Sequence, residues 1–418
     1  MPRLALRAMT RSSLLAPFQI RSFRFQYPAD LLTSWGSEME TLILGWYILA
    51  ETGSVFLLTL FGSLQYFGTL VAPVFGMAGD RLGHRAVLCA MRAIYAILAL
   101  LLMTLAFTAS LRPMHVLVIA TIAGLVRPSD LAMRSALVAD TMPPDRFVSA
   151  MGASRTTSDS ARTVGALAGA GLFAALGLGP AYAAITGFYI AGALLTLGVG
   201  TARHLTRATM HASLWRDLRE GLTYLWGTPS SLAALWLAFL VNLTAYPLTS
   251  GLLPYVARDV YHVDQTGLGY LIASFAFGSL LGSILIGIIG RSIRPARMMI
   301  IFAIAWYAML LVFVHRISPA GGSLSLIAAG LAQSLSLVPM SALLLHGAGA
   351  YRGRVMGMRM LAIYGLPLGL LSAGALIDRI GFAATATIYC TLGIALTLLI
   401  ALRWRAALWP LHAAANAR

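Results

Sequence analysis

The stretch GSEMETLILG (36–45) sets Glu38 and Glu40 among residues that otherwise belong to an apolar helix. A carboxylate in such surroundings is costly as an anion, and it normally meets a cation, a cavity or a proton. Two further sets have the same character. Arg127, Asp130 and Arg134 are spaced i, i+3, i+7, and Arg155, Asp159 and Arg162 are spaced i, i+4, i+7. Each set shares one helix face, with an aspartate bracketed by two arginines. Such residues can pin helices together as static ion pairs, or they can take up and release protons as their partners change. For Arg155, Asp159 and Arg162 the static reading comes first.

Helical phase separates the two glutamates, which lie about 200° apart around the axis. Glu38 shares a polar stripe with Ser34, Ser37, Thr41 and Gly45, the expected wall of a central cavity. Glu40 lies near the line of Thr33, Gly36, Tyr47 and Glu51 and is expected to meet another helix, with an arginine of the fifth span as its partner. With Arg134 assigned to the cytoplasmic end, Glu38, Glu40, Asp130 and Asp159 face only Arg127, Arg155 and Arg162. One acid is left over. An unpaired carboxylate at mid-membrane takes up a proton readily, which is what a proton carrier requires. Glu38 is the first candidate for proton coupling and Asp130 the second, followed by Glu40 and Asp159.

The elements that hold these residues follow from composition. The chain of 418 residues is 59% hydrophobic and only 11% charged, with a mean hydropathy of +0.81. Soluble domains carry about a quarter charged residues. Apolar runs of about 20 residues, enough to cross a bilayer as helices, recur throughout. Twelve spans are expected, near 28–51, 54–78, 86–108, 113–134, 147–174, 180–200, 229–257, 265–290, 297–315, 322–346, 355–377 and 382–402.

The net charge of +16 comes wholly from arginine on the basic side. Between the spans, only Arg112, Arg258, Arg316 and Arg379 fall on the outer side, so the basic residues report a positive-inside orientation with both termini cytoplasmic. Nucleic acid is excluded as a partner. Residues 1–27 and 403–418 read as cytoplasmic tails, the first resting Arg3, Arg7, Arg11, Arg21 and Arg24 on anionic lipid headgroups. Cys89 and Cys390 lie in apolar spans far apart and read as core side chains.

A central segment, 201–228, divides the spans into two sixes, 28–200 and 229–402. Within it, SLWRDLREGLTYLW (213–226) has the leucine face and arginine face of an interfacial helix. The halves echo each other. VSAMG (148–152) resembles RVMGM (354–358), and GAGLFAALGLGPAYA (169–183) resembles SAGALIDRIGFAATA (372–386). Such repeats mark transporters with a substrate site near the midplane. The second half is nearly free of charge within its spans. Asn242, Tyr246, Gln333 and Tyr364, with Trp35 of the first half, are the candidate substrate contacts, and they suit an amphipathic organic molecule. No phosphate loop, metal-ligand cluster or nucleophile–base pair is present, so neither an enzyme nor a cofactor is expected, and an ion gradient is the remaining energy source.

The turn GMAGDRLGHR (76–85) resembles the loop signature of the major facilitator superfamily, matching it at Gly76, Asp80, Arg81, Gly83 and Arg85. Gly76 is expected to permit close helix approach, Asp80 to cap the loop or pair across it, and Arg81 and Arg85 to hold headgroups or helix ends. The corresponding turn GIIGRSIRPAR (287–297) lacks the aspartate. Residues 23–54, 218–256 and 351–381 further resemble the branch of enterobactin-type siderophore exporters and related drug or secretion effectors. One departure stands in ARTVGALAGAG (161–171). Ala166 occupies the place of the proline in the exporters' span-5 motif, while Gly165 and Gly169 keep a small-residue packing face. The resemblance implies an all-α membrane fold of two six-helix repeats. It also implies proton-coupled export of a siderophore, drug or secondary metabolite, by a single chain in the bacterial inner membrane. Import of an organic solute, or a non-transporting scaffold, are the alternatives.

Overall fold

The computed structural model describes residues 16–200, 223, 225–289, 294–345 and 352–409, and is all-helical there. The interfacial helix expected over 213–226 lies almost wholly outside the described residues, as do most of both tails. The chain forms two compact units. Residues 1–52 and 64–209 form the first, and residues 53–63 and 210–418 the second. Gly53–Ser63, expected with the first half, therefore packs with the second unit. There the Ser63 hydroxyl donates to the Pro367 carbonyl at 3.2 Å, and a Cβ at Gly374 would lie 2.1 Å from the Thr59 hydroxyl.

In the first unit, α1 (Arg21–Thr52) runs back past Pro28 and ends where Gly53 takes φ +63°. The second span is broken. α2 (Val55–Leu64), all but its last residue in the second unit, gives way to a 3-10 turn (Phe67–Val71) and α3 (Ala72–Leu82) of the first. Then come α4 (His84–Phe107) and α5 (Pro113–Thr141). The fifth span is composite. α6 (Pro144–Ser160) passes through a π-helical segment, Ala161–Gly165, into α7 (Ala166–Leu176), and α8 (Leu178–Leu197) closes the unit. The wide turn at Ala161–Gly165 makes the fifth span irregular just before Ala166.

In the second unit α9 (Pro229–Thr244) gives way to π-helical segments at Pro247–Gly251 and Val256–Val260. α10 (Gln265–Ile289), α11 (Pro295–Val314), α12 (Pro319–Leu345), α13 (Arg352–Ala362), α14 (Gly365–Ile380) and α15 (Phe382–Arg403) follow, with a short α16 (Arg405–Leu408). Gly177 and Gly381 turn the last corner of each half with φ +80° and +82°, a conformation a side chain would strain. The shared corner matches the sequence echo between the halves.

Among the described residues, nine helices are long and apolar enough to cross a membrane, and the bent second span makes a tenth. The first and fifth of the expected twelve are not among these ten, and both carry acidic and basic residues along their length. The apolar character faces outward as well as inward, as bilayer solvent requires. Phe277, Leu281, Ile284 and Ile288 stand exposed along α10.

Candidate functional site

The polar chemistry of the first unit begins with close backbone approach. A Cβ at Gly192 of α8 would lie 2.6 Å from the Thr33 hydroxyl, and one at Gly36 of α1 would lie 3.2 Å from the Tyr189 ring. α1 and α8 are thus near enough for short side chains to bridge them. On the other side of α1, a Cβ at Gly169 would lie 2.9 Å from Met39 and one at Gly165 3.4 Å from the Trp35 backbone. α1 is thus flanked on two sides within the unit, which brings buried acids of this helix beside the neighbouring helices.

Two ion clusters result. In the first, Arg92 of α4 and Asp30 of α1 form a wholly buried pair, with Arg92 also donating to the Thr196 hydroxyl. Arg134 of α5 pairs with Asp130 one turn earlier and lies 3.7 Å from the Asp30 carboxylate. Its guanidinium also donates to the Ser34 hydroxyl at 2.6 Å and to the Asp30 carbonyl at 3.3 Å. Gln26 donates to the Arg134 carbonyl at 2.9 Å. In the second cluster, Glu40 Oε2 accepts from Arg127 Nη2 at 2.7 Å and from the Tyr189 hydroxyl at 2.8 Å. Arg127 Nη1 donates to Gln65 Oε1 at 2.6 Å and to the Thr41 hydroxyl at 3.0 Å. Forked guanidinium donors bound to carboxylates in this dry setting make the strongest polar contacts available to a protein.

These clusters correct the sequence expectation in three ways. Asp30 and Arg92 were passed over, and Arg134 was assigned to the cytoplasmic end, yet all three are central to the buried network. Glu40 meets Arg127 of the fourth span, not an arginine of the fifth. Asp130 is bracketed in sequence by two arginines but pairs with Arg134 only, because Arg127 is taken by Glu40. Within the polar stripe, the Ser34 and Thr41 hydroxyls both receive arginine hydrogen bonds. One signal in the sequence could have found Asp30: it continues the line of Ser34 and Glu38 at i−4 and i−8.

Asp30, Glu40 and Asp130 are balanced by Arg92, Arg127 and Arg134. Glu38 is not. It is half-buried, its Cβ 3.6 Å from where a Gly165 side chain would begin, and it makes no hydrogen bond or ion pair among the described residues. Arg155 and Arg162 lie on exposed parts of α6 and the π-helical segment, and the Asp159 side chain is not described.

The substrate candidates take separate places. In the first unit, the Trp35 indole donates to the Ser160 hydroxyl at 3.3 Å and packs edge-on to Phe188. In the second, Asn242 donates to its own helix at the Ala238 carbonyl, while Tyr246 accepts from Gln333 Nε2 at 2.9 Å. Gln333 in turn accepts from the Ser279 hydroxyl at 2.7 Å. Tyr364 stands half-buried at the start of α14, whose Gly365 backs on the Phe239 carbonyl.

In the loop signature, Gly83 takes φ +89° to separate α3 from α4. Gly76, expected to sit at a close approach, has open space around it. Gly79 fills that role, its would-be Cβ 2.7 Å from His84 and 3.1 Å from Met133. Asp80 is half-exposed and 3.7 Å from His84, whose other ring nitrogen meets Asp140 at 2.6 Å. His84 is thus held between two carboxylates. Arg81 is exposed, and Arg85 donates to the Leu197 carbonyl at the carboxyl end of α8, where a helix favours a cation.

Comparison with known proteins follows this geometry. The family model described as Major Facilitator Superfamily matches residues 29–370. The structure of the nucleoside transporter NupG has a TM-score of 0.70 at 14% identity, covering 92% of this chain and 99% of that one. The human organic anion transporter MFSD10 gives 0.63 at 16% identity over 91% and 99%. A POT family transporter crystallised with a thioalcohol-conjugated peptide gives 0.72 at 12% identity over 93% and 97%. At these identities the likeness is one of fold. No curated protein matches the chain.

Proposed function

Because the chain belongs to the Major Facilitator Superfamily, we propose that it is a secondary active transporter exporting a small amphipathic organic molecule in exchange for protons. As a member of that family it is a multi-pass membrane protein that binds a small molecule, not an enzyme. The proposed setting is a bacterial cytoplasmic membrane with both termini inside, and the proposed substrate class is a siderophore, drug or secondary metabolite.

One observation carries the proton-coupled reading. Three buried acids of the first unit are matched by three arginines, while Glu38, half-buried beside Gly165, makes no direct ion pair among the described residues and reaches only Arg127, already bound by Glu40, through its field. A carboxylate so placed can hold a proton in one state and give it up in another, whereas a fully paired one resists protonation. Export rests on the likeness of residues 23–54, 218–256 and 351–381 to the siderophore-exporter branch.

The test is transport in vesicles. A panel of amphipathic substrates is offered to right-side-out and inverted vesicles under an imposed pH gradient, with and without a protonophore. Accumulation in inverted vesicles that collapses with the protonophore is expected, and Glu38→Gln should abolish the response to the gradient while retaining substrate binding. Accumulation in right-side-out vesicles would give a proton-coupled importer. Full gradient-driven transport by Glu38→Gln would remove Glu38 from the coupling role.

A further inference from the structure

The chain passes from one unit to the other within its second span. Gly53–Ser63 belongs to the second unit, and Leu64 begins the return to the first. The crossing before it, at Thr52–Gly53, falls in the turn between α1 and α2. The crossing at Ser63–Leu64 falls inside α2, so any bend there must be taken up beyond the end of that helix. On the second-unit side α2 is fixed to α14. A Cβ at Gly62 would lie 3.1 Å from Leu370, close to the bond from Ser63 to the Pro367 carbonyl. On the first-unit side α5 grips the backbone. A Cβ at Gly124 would collide with the Leu64 carbonyl, and one at Gly68 with the Leu125 carbonyl. Between these grips lies the turn Gln65–Tyr66, where the span first leaves helical geometry.

The Gln65 side chain reaches the second ion cluster from that turn. Its Oε1 accepts from Arg127 Nη1 at 2.6 Å and from the Thr41 hydroxyl at 3.1 Å. Arg127 Nη2 meanwhile holds Glu40 at 2.7 Å. Both bonds to Gln65 end on one oxygen, and the one from the guanidinium is charge-assisted and partly buried, hence strong. A shift of α2 is therefore met, two residues past Ser63, by a side chain bonded to the cluster.

We propose that Gln65 is a positioning residue for alternating access, whose amide oxygen fastens the crossing in span 2 to Arg127 and so holds one arrangement of the chain until that bond parts. When α2 is carried with the second unit, the Gln65 amide is withdrawn from Arg127, which keeps Glu40 and Thr41. The Arg127–Glu40 pair stays closed throughout, and no proton moves in this step. Losing a single neutral acceptor costs far less than stranding the guanidinium, so the state without the bond is accessible. The inference rests on the transport reading, and it adds the joint at which the ion cluster restrains the rocking of two bundles.

The experiment reads the two arrangements directly, by electron–electron distance measurements on the full chain in lipid nanodiscs. Cys89 and Cys390 are replaced by alanine, and spin labels are placed in exposed turns. One pair sits at Ser110 and Ile317, after the third and ninth spans, and the other at Asp145 and Arg294, at the opposite ends of their helices. Gln65→Met, close in length but without the acceptor, should change the ratio of the two arrangements by about threefold or more. Distances should lengthen for one label pair and shorten for the other. Gln65→Glu keeps an oxygen within reach of Arg127 and should hold the unsubstituted ratio or move it the opposite way. Lost packing alone would broaden both distributions. If Gln65→Met does not fold, Gln65→Asn withdraws the same oxygen by one methylene and carries the same expectation. Unmoved distributions, broadening of both, or equal shifts from Gln65→Met and Gln65→Glu would overturn the proposal. An unsubstituted chain that moves no substrate in vesicles would instead overturn the transport reading, so the two failures are distinct.

Discussion

The two units solve the problem of buried polarity in opposite ways. The first keeps Asp30, Glu40 and Asp130 charged beside Arg92, Arg127 and Arg134, across α1, α4 and α5. The second uses neutral hydrogen bonds. Tyr246, Gln333 and Ser279 form one chain, Thr244 and Tyr307 a 2.6 Å pair, and Ser372 and Tyr389 a 2.7 Å pair. Neutral pairs are indifferent to pH and can be rearranged cheaply. Charged pairs out of water are not, because removing one partner strands the other. The difference is why the proposed proton coupling is sought in the first unit and not in the second.

The sharpest way to break that division is to strand a charge. Arg92→Met leaves Asp30 buried with only the distant edge of Arg134, and should cost about 3–5 kcal/mol of stability, measured by unfolding in detergent. Adding Asp30→Asn should recover much of the loss, since the cost lies in the orphaned anion. A loss below about 1 kcal/mol for Arg92→Met, the value of an exposed pair, would mean the first unit tolerates free charge and the contrast with the second is empty.

In the second unit the comparable weak point is steric. A Cβ at Gly278 of α10 would lie 1.9 Å from the Ile327 carbonyl of α12, and one at Gly330 2.1 Å from the Phe275 carbonyl. Small residues let these backbones touch where no hydrophobic force separates helix from lipid. Gly278→Leu should force the pair apart at a cost of about 3 kcal/mol, read from the same unfolding assay. Because no charge is involved, the loss should be the same at every pH tested.

Much of this architecture was legible before any coordinates. Hydropathy sets the helical segments, because lipid admits little else, and the echo between 169–183 and 372–386 reappears as the matched corners at Gly177 and Gly381. Partners were less legible. Helical phase separates Glu38 from Glu40 but does not say which helix stands opposite, so Glu40 was matched to the wrong span. Asp30 and Arg134 sit near the ends of their apolar runs, where a charge normally reaches water, and only the packing of α1 against α5 buries them. Gly76 illustrates the same limit. A signature names the glycines, but the fold decides that Gly79 is the one pressed against a neighbour.

A neutral substitution sharpens the comparison further. Gln333→Leu removes the acceptor of the Ser279 hydroxyl and the donor to Tyr246. Leaving those groups underused should cost about 1–2 kcal/mol. Its effect on transport should be a change in apparent substrate affinity with the pH profile unmoved. A shifted pH profile would bring the second unit into the proton chemistry and break the division.

The smallest effect is expected where charge is present but burial is not. Asp80 lies 3.7 Å from His84 with about half its side chain exposed, at 52%. His84 has a closer partner in Asp140 at 2.6 Å, so losing Asp80 does not orphan it. Water and salt already screen a pair of this kind, and such pairs are worth about 0.2–1 kcal/mol. Asp80→Asn should therefore change unfolding by no more than that, and the change should vanish at high ionic strength. Arg92→Met should stay costly in the same salt, because its partner is sealed from the solvent. If both effects faded together, burial would not be what distinguishes the ion clusters of the first unit from ordinary surface pairs.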